Sequence, residues 1–352
     1  MKYFSLLFIS FLSCISFGQT FSELIKVVAD DRDVQDRFGW SVDISGNYAV
    51  VGAYGDDFGG TNPNMGSAYI FEKEGIADWE FVQKINNSDQ DDYDRFGWSV
   101  AIDGDYIIIG AYAEDHNEFD GSSLSKAGSA YIFERDVDGV WNEVQKIVPS
   151  DRDVEDEFGW SVDISGSTAI VGAHFEDHDA DGLNYIYHAG SAYVFDREMD
   201  GTWTETQKIV ASGRAADIDF PDGGGGGEDL SDQFGGAVSI SGDRIIIGAH
   251  HHDYDAGGGS PLNETGAAYI FERSGGVWSE AAKLQNSDRS LEDRFGFSVS
   301  IDGNFAVVSA HTEDESVGGV STMANAGSAY IFERDGGGTW LEIQKIVPTD
   351  RS

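Results

Sequence analysis

Apolar and polar positions alternate along this chain in a pattern that returns about every sixty residues. Phe-Gly recurs at Phe38, Phe96, Phe158, Phe234 and Phe295, at spacings of 58, 62, 76 and 61. Three further apolar runs follow each Phe-Gly. The second run is YAVVGA (48–53), YIIIGA (106–111), TAIVGA (168–173), RIIIGA (244–249) or FAVVSA (305–310). The third is GSAYIF or a close variant, at 66–71, 128–133, 190–195, 266–271 and 327–332. The fourth starts at Trp79, Trp141, Trp203, Trp278 or Trp340 and ends just after a lysine (Lys84, Lys146, Lys208, Lys283, Lys345). Each run is four to eight β-branched or aromatic residues between turn residues, the signature of a strand. The four are named a, b, c and d. A Ser-Gly or Asp-Gly pair joins a to b in every copy, supplying the positive φ of a tight hairpin.

An internal repeat of this length sets the fold. Four-stranded antiparallel meanders repeated about an axis are the blades of a β-propeller. The b runs are almost wholly apolar, as for strands covered on both faces. A solenoid is the alternative, but its repeats are usually shorter. The expected fold is an all-β propeller of five complete repeats, with one extra outer strand at the N-terminus. That extra strand is read from residues 20–33, which match 141–153 when Lys26 is aligned on Lys146. The recurring tryptophans read as packing between blades. The lysine in d reads as a guard on an outer edge strand.

The series FGWSVDISG, VGA and GSAYIF resembles the FG-GAP repeat in its short-turn bacterial form. Five copies in register cover residues 21–352. The resemblance implies an extracellular propeller related to the integrin α-chain head, used for adhesion or partner binding and commonly without catalysis. The integrin-type repeat binds calcium through DxDxDGxxD between a and b. Here only a two-residue turn stands at that point, so that site is not carried over. The proline of the motif is also absent, with Tyr54, Tyr112, His174, His250 and His311 in its place.

The ends and the charge add to this picture. Lys2, an apolar run over 4–17 and the small-residue pair Ser16 and Gly18 read as a secretory signal peptide over 1–18, with the propeller over 19–352. Cys14, the single cysteine, lies inside that segment, so the mature chain has no disulfide. Leu12-Ser13-Cys14 faintly resembles a lipoprotein box. No second apolar stretch reads as a membrane span. The C-terminal VPTDRS echoes VPSDRD at 148–153, which leads into another Phe-Gly, so a longer parent with six or more blades is expected. A net charge of −41 argues against nucleic acid and anionic lipid as partners.

In a meander the long d–a and b–c connections share one rim, which is the expected binding surface. Acids collect there. Asp36, Asp94, Asp156, Asp232 and Asp293 stand two before each Phe; Asp57, Asp115, Asp177, Asp253 and Asp314 stand four after the Ala ending each b run. Recurrence in every copy favours a turn-shaping role, through backbone N–H groups. Catalysis would instead need one asymmetric pair. Calcium is the candidate cofactor. Asp177, Asp179 and Asp181 alternate before Gly182 like the first half of an EF-hand loop, although position twelve is His188 rather than Glu. Asp153 and Asp156 are weaker candidates for the same ion. All eight histidines lie in b–c loops. The run 250–252 reads as a solvent-facing loop, with a transition-metal site as the alternative.

The expected function is a secreted or cell-surface scaffold that binds an extracellular protein or glycan through the long-loop rim. The alternatives are a glycan-active enzyme using one odd loop (177–188 or 250–255) and a purely structural calcium-stabilised array.

Overall fold

A computed structural model describes residues 25–57, 63–75, 78–116, 123–180, 182, 185–213, 232–254, 262–314 and 324–348. The described residues form twenty strands in five antiparallel sheets of four, each in the order a-b-c-d. The first sheet is β1 (Val42–Ser45), β2 (Tyr48–Ala53), β3 (Ser67–Glu74) and β4 (Asp78–Ile85). The second is β5 (Ser99–Asp103), β6 (Tyr106–Ala111), β7 (Ser129–Arg135) and β8 (Trp141–Ile147). The third is β9 (Ser161–Ser165), β10 (Thr168–Ala173), β11 (Ser191–Arg197) and β12 (Trp203–Ile209). The fourth is β13 (Ala237–Ser241), β14 (Arg244–Ala249), β15 (Ala267–Ser274) and β16 (Val277–Leu284). The fifth is β17 (Phe295–Asp302), β18 (Phe305–Ala310), β19 (Ser328–Arg334) and β20 (Trp340–Ile346).

Local sequence explains each element. Ser45 pairs with Tyr48 and Ser165 with Thr168, leaving Gly46 and Gly166 first in two-residue turns at φ 58° and 59°. Those φ values lie in the left-handed region that glycine enters at little cost. Every c–d pairing shifts register at the same point, between Ile132 and Phe133 in the second sheet and between Val194 and Phe195 in the third. One extra residue there raises the local twist.

The sheets stack face to face, and four apolar clusters bind them in sequence. Val50, Ile70 and Ile85 of the first sheet pack on Phe96, Val100 and Ile107 of the second. Equivalent clusters join the second sheet to the third, the third to the fourth and the fourth to the fifth. Ile108, Ile170 and Ile246 of the central strands are fully buried. Each contributes about 1.5–3 kcal/mol by burial.

The repeat glycines bring backbones together at these junctions. A Cβ on Gly172 of β10 would lie 2.0 Å from the Gly235 carbonyl oxygen of the next sheet. One on Gly190 would lie 2.0 Å from the Phe234 oxygen, and one on Gly235 would lie 2.3 Å from the Ser191 oxygen. Phe-Gly, VGA and GSA therefore meet at one place, where only glycine fits. The second sheet repeats this at Gly110, Gly128 and Gly159. Phe158 and Phe234, both fully buried, sit edge-on against the aromatic pair of the c strand.

The two end sheets differ from the inner ones. In β18 the position of Gly172 is Ser309, and its hydroxyl accepts the Ser298 N–H. Val42 of β1 is 66% exposed, whereas Val100 at the same position of β5 is 7% exposed. Val307 is 41% exposed, whereas Val50 at its position is buried. No cluster among the described residues joins the fifth sheet to the first.

The expected extra outer strand is not a strand in its described part. Residues from 25 to the start of β1 form no sheet pairing, so among the described residues a, b, c and d each count five; residues 20–24 of the expected strand lie outside them. The described part of that segment runs beside the first sheet without pairing. It lies against the first sheet through Val27 and Ala29 instead, beside Val51 and Phe71. Residues 1–24, including the expected signal peptide, lie outside the described residues.

Candidate functional site: the long-loop rim

The d–a and b–c connections share one rim, as the meander requires. Its deepest layer is a polar cluster repeated in the first, second, third and fifth repeats. In the third repeat, Lys208 of β12 reaches Glu176 of the b–c loop at 2.8 Å and Asp151 of the d–a linker at 2.6 Å. Tyr193 of β11 donates to Asp151 at 2.9 Å, and Ser191 donates to Glu176 at 2.5 Å. The second repeat builds the same unit from Lys146, Glu114, Asp89, Tyr131 and Ser129. The fifth uses Lys345, Glu313, Asp288, Tyr330 and Ser328. The first uses Lys84, Asp56, Asp31, Tyr69 and Ser67.

This corrects the reading of the lysines as edge guards. The d strand is the outer edge, but the side chains of Lys146, Lys208 and Lys345 are only 5–7% exposed. Each neutralises a buried carboxylate. Removing one partner of such a pair strands the other charge in the interior.

A second acid series closes the d–a turn. Asp156 accepts the Asp153 N–H at 2.7 Å, and Asp94 accepts the Asp91 N–H at 2.7 Å. Burial beside Glu176 and Asp153 pushes the Asp156 carboxyl up to about 8, with the Asp153 N–H opposing. Burial likewise pushes Asp94 up to about 7. A third series closes the b–c loops: Asp57, Asp177, Asp253 and Asp314 accept the N–H of Asn64, His188, Glu264 and Asn325. These are the turn-shaping bonds expected of recurring aspartates.

The calcium candidates are placed as follows. Asp177 holds the His188 N–H, and the Asp179 carbonyl accepts the Gly182 N–H. Asp153 accepts the Val154 N–H, and Asp156 is buried. Asp181 lies outside the described residues. Among the described residues, no three carboxylate or imidazole donors are grouped so as to hold a metal ion.

Around the inner edge of the rim runs an aromatic ladder. Trp40, Tyr54, Trp98, Tyr112 and Trp160 follow one another at centroid steps of 4.7–5.0 Å. His174 continues it, 4.1 Å from Trp160. The fourth repeat breaks the ladder, because Gly236 stands where a tryptophan would. Its place is closed by His250, whose Nδ1 would lie 3.2 Å from a Cβ on Gly236. The ladder resumes at Phe297 and His311, 4.0 Å apart.

The histidine loop is not solvent-facing as expected. His251 is 6% exposed and His252 is fully buried, and His174 is buried as well. Burial lowers His174 and His250 well below the ordinary imidazole range, so both are neutral. Neighbouring chemistry draws these rings inward. His252 replaces the buried carboxylate of the other repeats. Its Nε2 lies 2.7 Å from Lys283 Nζ, and its Nδ1 lies 2.8 Å from an Asp232 oxygen, poorly aligned for a hydrogen bond. The His251 ring stands 3.5 Å from Glu264, and together with Arg294 it holds that carboxyl down to about 2.

Sequence reasoning found the acids and histidines of this rim but not the lysine–carboxylate–tyrosine unit. The signal was present: Asp31, Asp89, Asp151 and Asp288 each stand seven residues before a Phe-Gly. The long fourth linker obscures the register there.

The rim's outermost layer is exposed. Trp40, Tyr185, Tyr187 and Phe297 are each between 45% and 61% accessible. Among the described residues no helix is long and apolar enough to cross a membrane.

Comparison with known proteins agrees with this repeat. No curated protein matches the chain. The FG-GAP repeat family matches residues 21–71, 79–133, 141–195, 228–271 and 278–332. The second, third and fifth matched units begin on the d strand of one sheet and run through a, b and c of the next, spanning the junction where the glycines meet; the fourth begins at residue 228, past the d strand of the third sheet. With five units covering well over half its length, the chain belongs to the FG-GAP repeat family.

Proposed function

We propose that this chain is a secreted or cell-surface binding scaffold. Its five sheets are blades of a β-propeller, and its long-loop rim docks an extracellular protein or glycan. The observation that carries this reading is the division of the rim into two layers. The recurring acids, which would be the candidates for chemistry, are engaged by backbone N–H groups, lysines and tyrosines of the same chain. Above them, Trp40, Tyr185, Tyr187 and Phe297 present large rings to solvent. Such rings supply contact area at low entropic cost, and Tyr and Trp are enriched in binding hot spots. Catalysis has no part in this reading.

The test compares the two rims. Glycan arrays and capture of extracellular proteins are run with the wild type, with Trp40→Ala/Tyr187→Ala/Phe297→Ala, and with Val137→Ser/Met199→Ser on the opposite rim. Binding lost in the first variant and kept in the second supports the scaffold. Binding indifferent to the first variant contradicts it. So does glycan turnover that disappears on alanine substitution within 177–188 or 250–254.

Calcium enters the proposal as a stabiliser of the b–c loop that holds Asp177, Asp179 and Asp181. A melting temperature that rises with calcium and falls with chelator supports it, and an unchanged melt overturns it.

A further inference from the structure

The two end sheets each carry half of a junction. At an inner junction, one sheet offers a b-strand residue and the residue after its d-strand lysine, and the next sheet offers two apolar residues of its a strand. Ile108 and Ile147 of the second sheet meet Val162 and Ile164 of the third in this way. In the fifth sheet the first pair is Val307 and Ile346, which are 41% and 43% exposed, whereas Ile108 and Ile147 are buried. In the first sheet the second pair is Val42 and Ile44, which are 66% and 60% exposed, whereas Val162 and Ile164 are buried. Exposed apolar faces of this kind mark interaction surfaces. Polar stitches follow the same division. Asp103 of the second sheet accepts the Gly166 N–H of the third at 2.7 Å. Arg152, in the linker between them, pairs with Glu114 at 2.8 Å and donates to the His116 carbonyl at 2.6 Å. On the fifth sheet Asp302 stands at the place of Asp103, and Glu313 at that of Glu114. Beside the first sheet Gly46 stands at the place of Gly166, and Arg32 at that of Arg152. The Arg152 side chain is buried, whereas Arg32 is exposed.

We propose that the fifth-sheet face of one chain docks on the first-sheet face of a second copy, head to tail. Each copy then supplies the half that the other lacks. Val307 and Ile346 cover Val42 and Ile44, Asp302 accepts the Gly46 N–H, and Arg32 pairs with Glu313. The last pair brings opposite charges together in a chain of net charge −41, where contacts between copies otherwise repel. The contact joins two different patches, so it is heterologous and extends beyond two chains unless it closes into a ring. Two features make it weaker than an inner junction. Ser309 carries a side chain where Gly172 has none, and a Cβ on Gly172 would collide with the Gly235 carbonyl oxygen of the next sheet. Val27 and Ala29 also hold the places that Ile209 and Ala211 hold between the third and fourth sheets, so the end of β20 must displace them. The contact therefore forms at high concentration and opens on dilution. The inference stands apart from the scaffold reading, because its readout is the mass of the particle rather than capture of a ligand.

The test is sedimentation equilibrium of the full chain over a wide range of concentration. The wild type is expected to move from one chain to two or more as concentration rises. Ser309→Gly is expected to tighten the association about tenfold or more, the factor that relief of an overpacked contact gives. Val42→Asp and Val307→Asp change exposed residues, so both are expected to fold, and each alone is expected to remain a single chain. Mixed in equal amounts, they are expected to form a dimer and nothing larger. Val42→Asp keeps its fifth-sheet face, and Val307→Asp keeps its first-sheet face. A wild type and a Ser309→Gly variant that both stay single chains at every concentration overturn the proposal. Association that survives both aspartate variants overturns it too, as does a mixture of the two that stays at single chains. Melting temperatures lowered in dilute solution by both aspartate variants would place the contact within one chain, and that result also overturns it.

Discussion

The third and fourth repeats share all four strands, the a–b turn and the junction glycines, yet differ at four adjoining rim positions. Asp151, Glu176, Ser191 and Trp160 in the third correspond to Gly213, His252, Ala267 and Gly236 in the fourth. The junction survives this exchange. Gly248 approaches the Gly296 oxygen as closely as Gly172 approaches the Gly235 oxygen. The backbone contact between sheets is therefore the invariant part of the architecture, while the polar cluster above it is a variable part. The third repeat satisfies that cluster internally. The fourth leaves the buried Tyr269 hydroxyl without a hydrogen-bond partner among the described residues.

The largest separation between the repeats is expected from charge. Lys208→Met strands Glu176 beside Asp151 and should cost about 3–5 kcal/mol in denaturant unfolding. A loss under 1 kcal/mol would mean that the cluster is ornamental. The next effect is on pH. Asp156, Asp94 and Glu157 have carboxyls pushed up to about 8, 7 and 7. In the folded state they bind protons more tightly than in the unfolded state. The stability they contribute is complete below about pH 4, the ordinary carboxylate range, and is lost as pH rises through 7–8. The melting temperature should fall from pH 6 to pH 9, and Asp156→Asn should flatten that slope.

Smaller still is the tyrosine comparison. Tyr193→Phe removes a hydrogen bond to Asp151 and should cost about 1 kcal/mol, whereas Tyr269→Phe removes an unpartnered hydroxyl and should be neutral or stabilising in chloride buffer. Equal costs would erase the distinction between the repeats. The smallest effect concerns the clamp on the outer edge. The Gln145 side chain pairs with the backbone N–H and carbonyl of Trp203, and Gln207 does the same to Trp278. The fourth sheet has Ala282 at this position and no such clamp. Gln145→Ala should cost about 0.5 kcal/mol, the low end for hydrogen bonding, because water replaces the half-exposed amide.

Much of this was legible in the sequence, and the losses have physical causes. The strands were readable because b runs such as YIIIGA are apolar on both faces and bounded by glycine turns. The junction glycines were readable only as turn residues, since a close approach between segments as far apart as Gly128 and Phe158 or Gly172 and Gly235 leaves no local mark. The d-strand lysines misled because lysine is rarely buried without partners, and their partners lie far off in sequence, as Glu176 in the b–c loop and Asp151 in the linker do for Lys208. The buried histidines misled for the same reason. His252 sits in a loop by sequence but replaces a carboxylate in the interior. The turn aspartates were read correctly because recurrence and turn chemistry point the same way. The extra outer strand was drawn from a true likeness, and Asp31 does hold Tyr69 and Lys84 as Asp89 holds Tyr131 and Lys146. Its described part, from residue 25, forms no strand.

The central claim is that backbone contact at the repeat glycines joins one sheet to the next. The most direct test is thermal unfolding of Gly172→Ala beside Ser309→Gly. The first places a methyl group 2.0 Å from the Gly235 carbonyl oxygen; the second changes the same position in the fifth sheet, where no described sheet follows. Gly172→Ala should lower the melting temperature by several degrees or more, in line with overpacking costs of about 1–3 kcal/mol and upward. Ser309→Gly should shift it by about 2 °C or less. Comparable shifts in the two variants would contradict the claim.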